Sequence, residues 1–375
     1  MTNRKNTGRG FGFHIVKRDA ISPIGSVLIR ALAIIASLII CTLVILSVTR
    51  NSSNGNASQL IKSMLYGNFG TSRKIWQMVM NVSILQCISL AVTPAFKMKF
   101  WNLGAEGQAL VGALVSVILM FILGDTLPMW MTLVVIAVAA MISGCIWGLL
   151  PAIFKAKFGT NETLFTLMMN YIAMQLVLFS IPFIDKSGSN VIRSIQSPFE
   201  GQRYWFPEIF GSRYGLILII SVVLTVLMFV YLKFSKHGYE ISVVGESENT
   251  AKYIGINVKK VVLRTMTISG LLCGLVGFIF AVGKDCTVNA NTIGGIGFTA
   301  VMVSWLAKFN PIIMTAASFL IVFLEIGSSQ FIEDCKLDNS SITGIIIGIV
   351  LFFVIGCEFF ANYKIQANTK GEHRK

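Results

Sequence analysis

One heptapeptide, Asn102-Leu103-Gly104-Ala105-Glu106-Gly107-Gln108, sets a carboxylate and two amides among glycines, between two long apolar runs. Amides and a carboxylate can donate to and accept from hydroxyl groups, so the set suits recognition of a hydroxyl-rich solute. Such groups are expensive in apolar surroundings and normally face a protein interior or a watery cavity. Glycine at 104, 107 and 112 permits a broken helix start, which is tolerated at membrane depth only where it is covered by protein or lines a cavity. Gly112 equally suits close packing of helices. Asn102 and Glu106 are four apart and share a face if that turn is helical. The other reading of Glu106 is an ion pair with Lys97 or Lys99 that anchors a short hairpin. No catalytic or metal-binding set is evident elsewhere. The cysteines form no C-x-x-C pair, the three histidines are far apart, and no G-x-x-x-x-G-K-[ST], H-E-x-x-H or G-x-S-x-G occurs. No cofactor is expected, and any ATP hydrolysis must come from another chain.

The elements that must hold this stretch are membrane helices. Of 375 residues 54% are hydrophobic and only 13% charged, against about 25% charged in soluble domains. The net charge of +14 is scattered between apolar runs, so it carries topology rather than a nucleic-acid surface. The apolar runs lie near Val27–Val48, Ile75–Ala95, Phe100–Gly124, Met129–Phe154, Glu162–Ile184, Gly215–Phe234, Val261–Val282, Thr292–Ala307, Pro311–Gly327 and Ile342–Phe360. Most approach the ~20 residues a spanning helix needs, the run from Thr292 being the shortest. The fold class is therefore an all-α integral membrane protein with about ten spans, since an open sheet cannot satisfy its backbone in lipid. With both termini in the cytoplasm, 21 of the 31 Lys and Arg residues fall inside, as the positive-inside rule requires. The organisation is a basic tail at 1–23, a membrane domain at 24–360 and a second tail at 361–375.

Two loops exceed simple turns. Residues 185–214 fall outside and mix charges with Tyr204-Trp205-Phe206-Pro207. They suit either an interfacial helix or a docking surface for an external binding protein. Residues 235–260 fall inside, where Ser247 before Glu248 and Gly255 after Ile254 mark a short capped helix. An isolated helix of that length needs a partner or surface to order it. There is also a weak internal repeat. A span, a Gly-interrupted polar start at Asn102 and two further spans recur as a span, Asn291-Thr292-Ile293-Gly294-Gly295 and two further spans. Paired interruptions of this kind point to a central binding site in transporters.

Thr93-Pro94 with the heptapeptide resembles the signature of membrane permeases from bacterial ABC importers for nucleosides and simple sugars, relatives of the ribose and branched-chain amino-acid permeases. The resemblance runs over roughly residues 74–357. It takes in Asn161-Glu162, Leu167-Met168-Met169-Asn170-Tyr171, Ser269-Gly270, Gly294-Gly295-Ile296-Gly297-Phe298 and Phe309-Asn310-Pro311. It implies a solute pathway lined by Asn102, Gly104, Glu106, Gln108, Asn170, Gly294, Gly295 and Phe298. It also implies a coupling helix at 235–260, with Gly245, Glu248, Ala251, Lys252, Tyr253 and Gly255 meeting the ATPase. The partners implied are a cytoplasmic ABC ATPase, a second homologous permease and an external substrate-binding lipoprotein or periplasmic protein, with nucleosides as solute and simple sugars second. Two departures stand out: the usual paired alanines are Thr250-Ala251, and Trp305 and Lys308 stand where the family has smaller, uncharged residues. The alternative is an ion-coupled secondary transporter, which would need a relay of buried carboxylates such as Glu106, Glu162, Glu325 and Glu358.

Overall fold

The computed structural model describes residues 57–123, 127–184 and 206–336, with shorter stretches at 13–17, between 28 and 44, between 344 and 356, and at 363–367. It divides into two compact units, residues 68–323 and residues 1–67 with 324–375. In chain order the helices are α1 (Ala57–Phe69), α2 (Ser72–Lys97), α3 (Ala105–Leu123), α4 (Met129–Phe158), α5 (Glu162–Ile184), α6 (Gly215–Phe234), α7 (Lys236–Glu246), α8 (Glu248–Tyr253), α9 (Val258–Phe278, continued by a π-helical turn Ile279–Lys284), α10 (Ile296–Leu306) and α11 (Pro311–Asp334). Seven of them, α2 to α6, α9 and α11, are long and apolar enough to cross a membrane. The protein is an all-α membrane protein.

The seventh and eighth apolar runs behave differently from one another. The seventh becomes the unbroken α9. The eighth, expected from Thr292 to Ala307, forms a helix of only 11 residues, roughly 16 Å at 1.5 Å per residue. Its first residues are spent on a loop in which Gly294 and Gly295 take left-handed φ of 61° and 82°. That conformation excludes the α-helix and costs glycine nothing. The first and tenth runs lie only partly among the described residues.

Within residues 68–323, α2 is the most enclosed helix and carries polar staples to its neighbours. Gln86 donates to the Pro311 carbonyl (3.0 Å) and Thr225 (3.3 Å) and accepts from Ser318 (3.3 Å). The Ser304 hydroxyl donates to the Ser89 carbonyl at 3.0 Å. Helices α3, α4 and α9 meet through glycine: a Cβ at Gly112 would sit 2.7 Å from the Gly274 carbonyl oxygen, and one at Gly274 would run into the Ala140 carbonyl. Small residues are the means of close contact where lipid supplies no hydrophobic drive between helices. Of the long loop at 185–214, residues 185–205 lie outside the described residues. Phe206, which follows them, is buried against Phe278, with ring centroids 5.4 Å apart, and against Gly283.

In the other unit, Gly67 and Met64 of α1 lie against Gln330 and Gly327, and the Ser63 hydroxyl donates to Asp334 at 2.5 Å. The two tails meet there too. β1 (Phe13–Lys17) and β2 (Tyr363–Ala367) pair antiparallel, with Ile15 opposite Ile365. Apolar side chains at 13 and 15 alternate with a polar one at 14, the period a strand needs.

Candidate functional site

The chain leaves α2 with Lys99 in a left-handed conformation (φ 60°) and does not resume a helix until Ala105. The interrupted backbone is satisfied by side chains from three elements. Asn102, fully buried, accepts from the Gly104 N–H (3.1 Å) and from Gln108 Nε2 (3.1 Å), and its own amide donates to Ser269 Oγ on α9 (3.3 Å). Thr166 on α5 accepts from the Leu103 N–H at 3.2 Å. Asn170, one turn further along α5, accepts from the Gly107 N–H (2.9 Å) and donates to the Leu103 carbonyl (2.8 Å). The glycines are required by proximity: a Cβ at Gly107 would lie 2.8 Å from Asn170 Oδ1, and one at Gly104 3.1 Å from Thr166 Cβ.

Glu106 faces elsewhere. It sits in the first turn of α3, only 6% exposed, and Oε1 accepts from the Gly295 N–H at 2.8 Å. A Cβ at Gly297 would lie 3.0 Å from its Cβ. The two glycine-interrupted starts of the internal repeat therefore meet, α3 at Glu106 and α10 at Gly295. A carboxylate beside two helix N-termini complements the partial positive charge both ends carry. Its second oxygen, Oε2, makes no hydrogen bond to the protein. Neither oxygen pairs with Lys97 or Lys99, so the hairpin-anchor reading of Glu106 is set aside. The expected common face of Asn102 and Glu106 is also absent, because Asn102 precedes the helix and turns to α9 while Glu106 turns to α10.

Of the sequence-predicted pathway residues, Asn102, Gly104, Gln108 and Asn170 thus fall in one buried network, and Glu106, Gly294 and Gly295 at the junction of the repeats. Phe298 is 40% exposed and shares an open face of α10 with Met302 and Trp305. The Trp305 ring lies 5.2 Å from that of Trp101. Ser269 and Thr166 complete the network; the signal for Thr166 was its i,i+4 spacing from Asn170.

In the 235–260 segment the capped helix is present. Ser247 accepts from the Thr250 N–H (3.2 Å) and Gly255 closes it with φ 84°. Glu248, Lys252, Tyr253 (92% exposed) and Gly255 lie on its open surface. Gly245 and Ala251 do not. Ala251 is fully buried in a cluster with Ala95, Met98, Phe100, Ile241, Val244, Val261 and Met266, and a Cβ at Gly245 would run into the Lys97 carbonyl. Those two positions meet their own chain, a correction to their reading as ATPase contacts. Nearby, Arg264 of α9 binds Glu240 of α7 (2.7 Å), with His237 3.7 Å from the same carboxylate oxygen. The Arg264 hydrogen bond, above all, holds the Glu240 carboxyl below the usual carboxylate range.

Of the four carboxylates a relay would use, Glu106 accepts from the Gly295 N–H, Glu162 pairs with Lys155 (2.8 Å) across the α4–α5 turn, Glu325 is exposed, and Glu358 lies outside the described residues. Among the described residues no cluster of His, Cys, Asp and Glu could hold a metal. A multi-pass helical bundle in which two broken helix starts meet at a single carboxylate fits a membrane transport component. Comparison with known proteins agrees. The chain belongs to the family of permease components of branched-chain amino acid transport systems, whose pattern matches residues 75–355. It is 28% identical over 295 residues to the guanosine ABC transporter permease protein NupP of Bacillus subtilis, covering 77% of this chain and 82% of that one. It is 24% identical over 336 residues to the nucleoside ABC transporter permease protein NupB of Lactococcus lactis, covering 88% and 90%. The glucose ABC transporter permease protein TsgB13 of Haloferax volcanii is 25% identical over 301 residues, 74% of each chain.

Proposed function

We propose that this chain forms one half of the membrane pathway of an ATP-driven importer of nucleosides, beside a second homologous permease. ATP is hydrolysed by a cytoplasmic ABC ATPase that docks on Glu248, Lys252, Tyr253 and Gly255. An external binding protein delivers the solute to the opposite face, and both termini are cytoplasmic. The observation that carries this reading is the meeting of Glu106 with Gly295, where a buried carboxylate oxygen without a protein partner stands at the junction of the two repeats. That oxygen accepts a hydrogen bond from a solute hydroxyl. Gly294, Gly295 and Phe298 form the rest of the lining, and Asn102, Gly104, Gln108 and Asn170 hold the break in shape. The open aromatic face of α10 favours a solute with a planar base over a bare sugar. The pairing of the two tails supports their lying on one side of the membrane. The distribution of Lys and Arg supports that side being the cytoplasm.

The test is uptake in proteoliposomes holding this permease, its partner permease, the ATPase and the binding protein. ATP inside-facing its ATPase should drive uptake of labelled guanosine or adenosine, and excess glucose should not compete. Uptake driven by a proton or sodium gradient in the absence of ATP would overturn the reading in favour of a secondary carrier. Efficient competition by glucose would move the substrate class to sugars.

A further inference from the structure

The cytoplasmic hairpin is attached to the membrane helices at two different points. One end of α7 is pressed on the last turn of α2 through Gly245 and the Lys97 carbonyl. Its middle holds α9 through Glu240, whose Oε2 is 2.7 Å from Arg264 Nη2 with side chains 16% and 29% exposed. The buried Tyr231 hydroxyl of α6 lies beside the same guanidinium. Both gripped helices reach the break at 98–104. α2 runs straight into it, and α9 carries Ser269, the acceptor for the Asn102 amide. Between Arg264 and Ser269 α9 is uninterrupted helix, so a shift at one is carried to the other over roughly 7.5 Å of rigid rod.

We propose that Glu240 and Arg264 are positioning residues that transmit movement of the coupling hairpin to the broken helix start. The apolar cluster around Ile241, Val244 and Met266 supplies adhesion but little direction, because hydrophobic contact is non-directional. The ion pair adds direction. Two largely covered charges hold one geometry and resist sliding of α7 along α9, since parting them leaves a charge unpaired. Movement of α7 is therefore delivered to α9 as displacement, and through Ser269 to Asn102. This inference rests on the reading that an ATPase docks at 235–260.

The experiment uses the assembled importer in proteoliposomes and measures ATP hydrolysis, nucleoside uptake and thermal stability separately. The wild type tests the underlying reading: no ATP-dependent uptake there removes the ATPase partner itself, whatever the variants do. Given a coupled wild type, Glu240→Gln and Arg264→Gln should hydrolyse ATP at the wild-type basal rate while uptake per ATP falls roughly fivefold or more, the usual scale of a coupling between sites. The exchanged pair, Glu240→Arg with Arg264→Glu, should recover uptake per ATP. Arg264→Lys keeps the charge and should stay well above Arg264→Gln, which preserves the test if the exchanged pair does not fold. The proposal is overturned if uptake per ATP is unchanged in both glutamine variants. It is equally overturned if uptake and hydrolysis fall together in proportion to a lowered melting temperature, with no recovery in the exchanged pair or the lysine variant.

Discussion

Asn170→Leu separates the two roles that a buried amide beside a transport pathway can have. The asparagine spends both ends of its amide on the break, accepting from the Gly107 N–H at 2.9 Å and donating to the Leu103 carbonyl at 2.8 Å. Leucine has similar bulk but no polar atom, so both backbone groups lose their partner. A buried group left unsatisfied costs about 1–3 kcal/mol, which gives roughly 2–6 kcal/mol for the two. Side-chain hydrogen bonds measured within membranes average nearer 0.6 kcal/mol, which sets a floor of about 1.2. The higher range is expected here, because Asn170 is itself buried and Gly107 leaves no room for water between them. At roughly 2–4 °C per kcal/mol, a loss of about 3 kcal/mol lowers the melting temperature by roughly 6–12 °C. The assay is thermal unfolding of the detergent-purified chain, followed by reaction of its buried cysteines, Cys87 and Cys273 among them, with a fluorogenic maleimide. Tyr171→Leu, next along the helix and 59% exposed, is the control and should stay within about 0.5 kcal/mol of wild type. An unchanged melting temperature in Asn170→Leu, with an altered preference among solutes, would refute the clamp and make Asn170 a solute contact.

Glu106→Gln keeps an oxygen for the Gly295 N–H and turns the free oxygen into a donor, so folding should survive while nucleoside uptake drops several-fold; equal uptake by the variant would remove Glu106 from the pathway. Tyr253→Ala should weaken co-purification of the ATPase with little change in melting temperature, whereas Ala251→Trp should lower the melting temperature itself because its site is filled by Met98, Val244 and Val261; the reverse pattern would exchange their roles. Glu240 has its folded pKa depressed, chiefly by Arg264, with His237 and Lys236 adding to it. Its contribution to stability is therefore complete above the unfolded value near 4.3 and is lost as pH falls through the depressed one, so the melting-temperature gap between wild type and Glu240→Gln should hold from pH 7 to 5 and close only in stronger acid. A cysteine at Ser247 should resist an impermeant maleimide in intact cells and react in inverted vesicles; labelling in intact cells would reverse the topology.

What was legible in the sequence was whatever depended on local pattern. Polar residues and glycines inside an apolar stretch mark the broken start at 102–108, and Ser247 and Gly255 mark the ends of α8, because capping and helix breaking are decided within a few residues. Direction was not legible. The four-residue spacing of Asn102 and Glu106 implies a common face only once a helix exists, and the helix begins at Ala105. Hydropathy extended the eighth span back to Thr292, since it registers apolar content and not the positive φ of Gly294 and Gly295. Ala251 and Gly245 looked like docking positions in a short cytoplasmic helix. Their burial against Met98 and Lys97 is a tertiary event some 150 residues away in sequence, and so is invisible to any local period. The Glu240–Arg264 pair, 24 residues apart on separate helices, was hidden for the same reason.

The polar atoms of the break are almost all consumed by the break itself. Asn102 uses its oxygen twice and its nitrogen once, and Asn170 uses both ends. Gln108 commits its nitrogen to Asn102. The heptapeptide is left with two buried acceptors free, Glu106 Oε2 and Gln108 Oε1. These stand two residues apart on a helix and so point in different directions. One free acceptor facing the junction of the repeats can orient a hydroxyl without holding a whole solute. That is the condition a conduit must meet, because a site has to be attractive enough to enter and weak enough to leave. On the function proposed above, selectivity falls to an external binding protein and to the aromatic face of α10, while the heptapeptide keeps the helix start broken where its carboxylate meets Gly295.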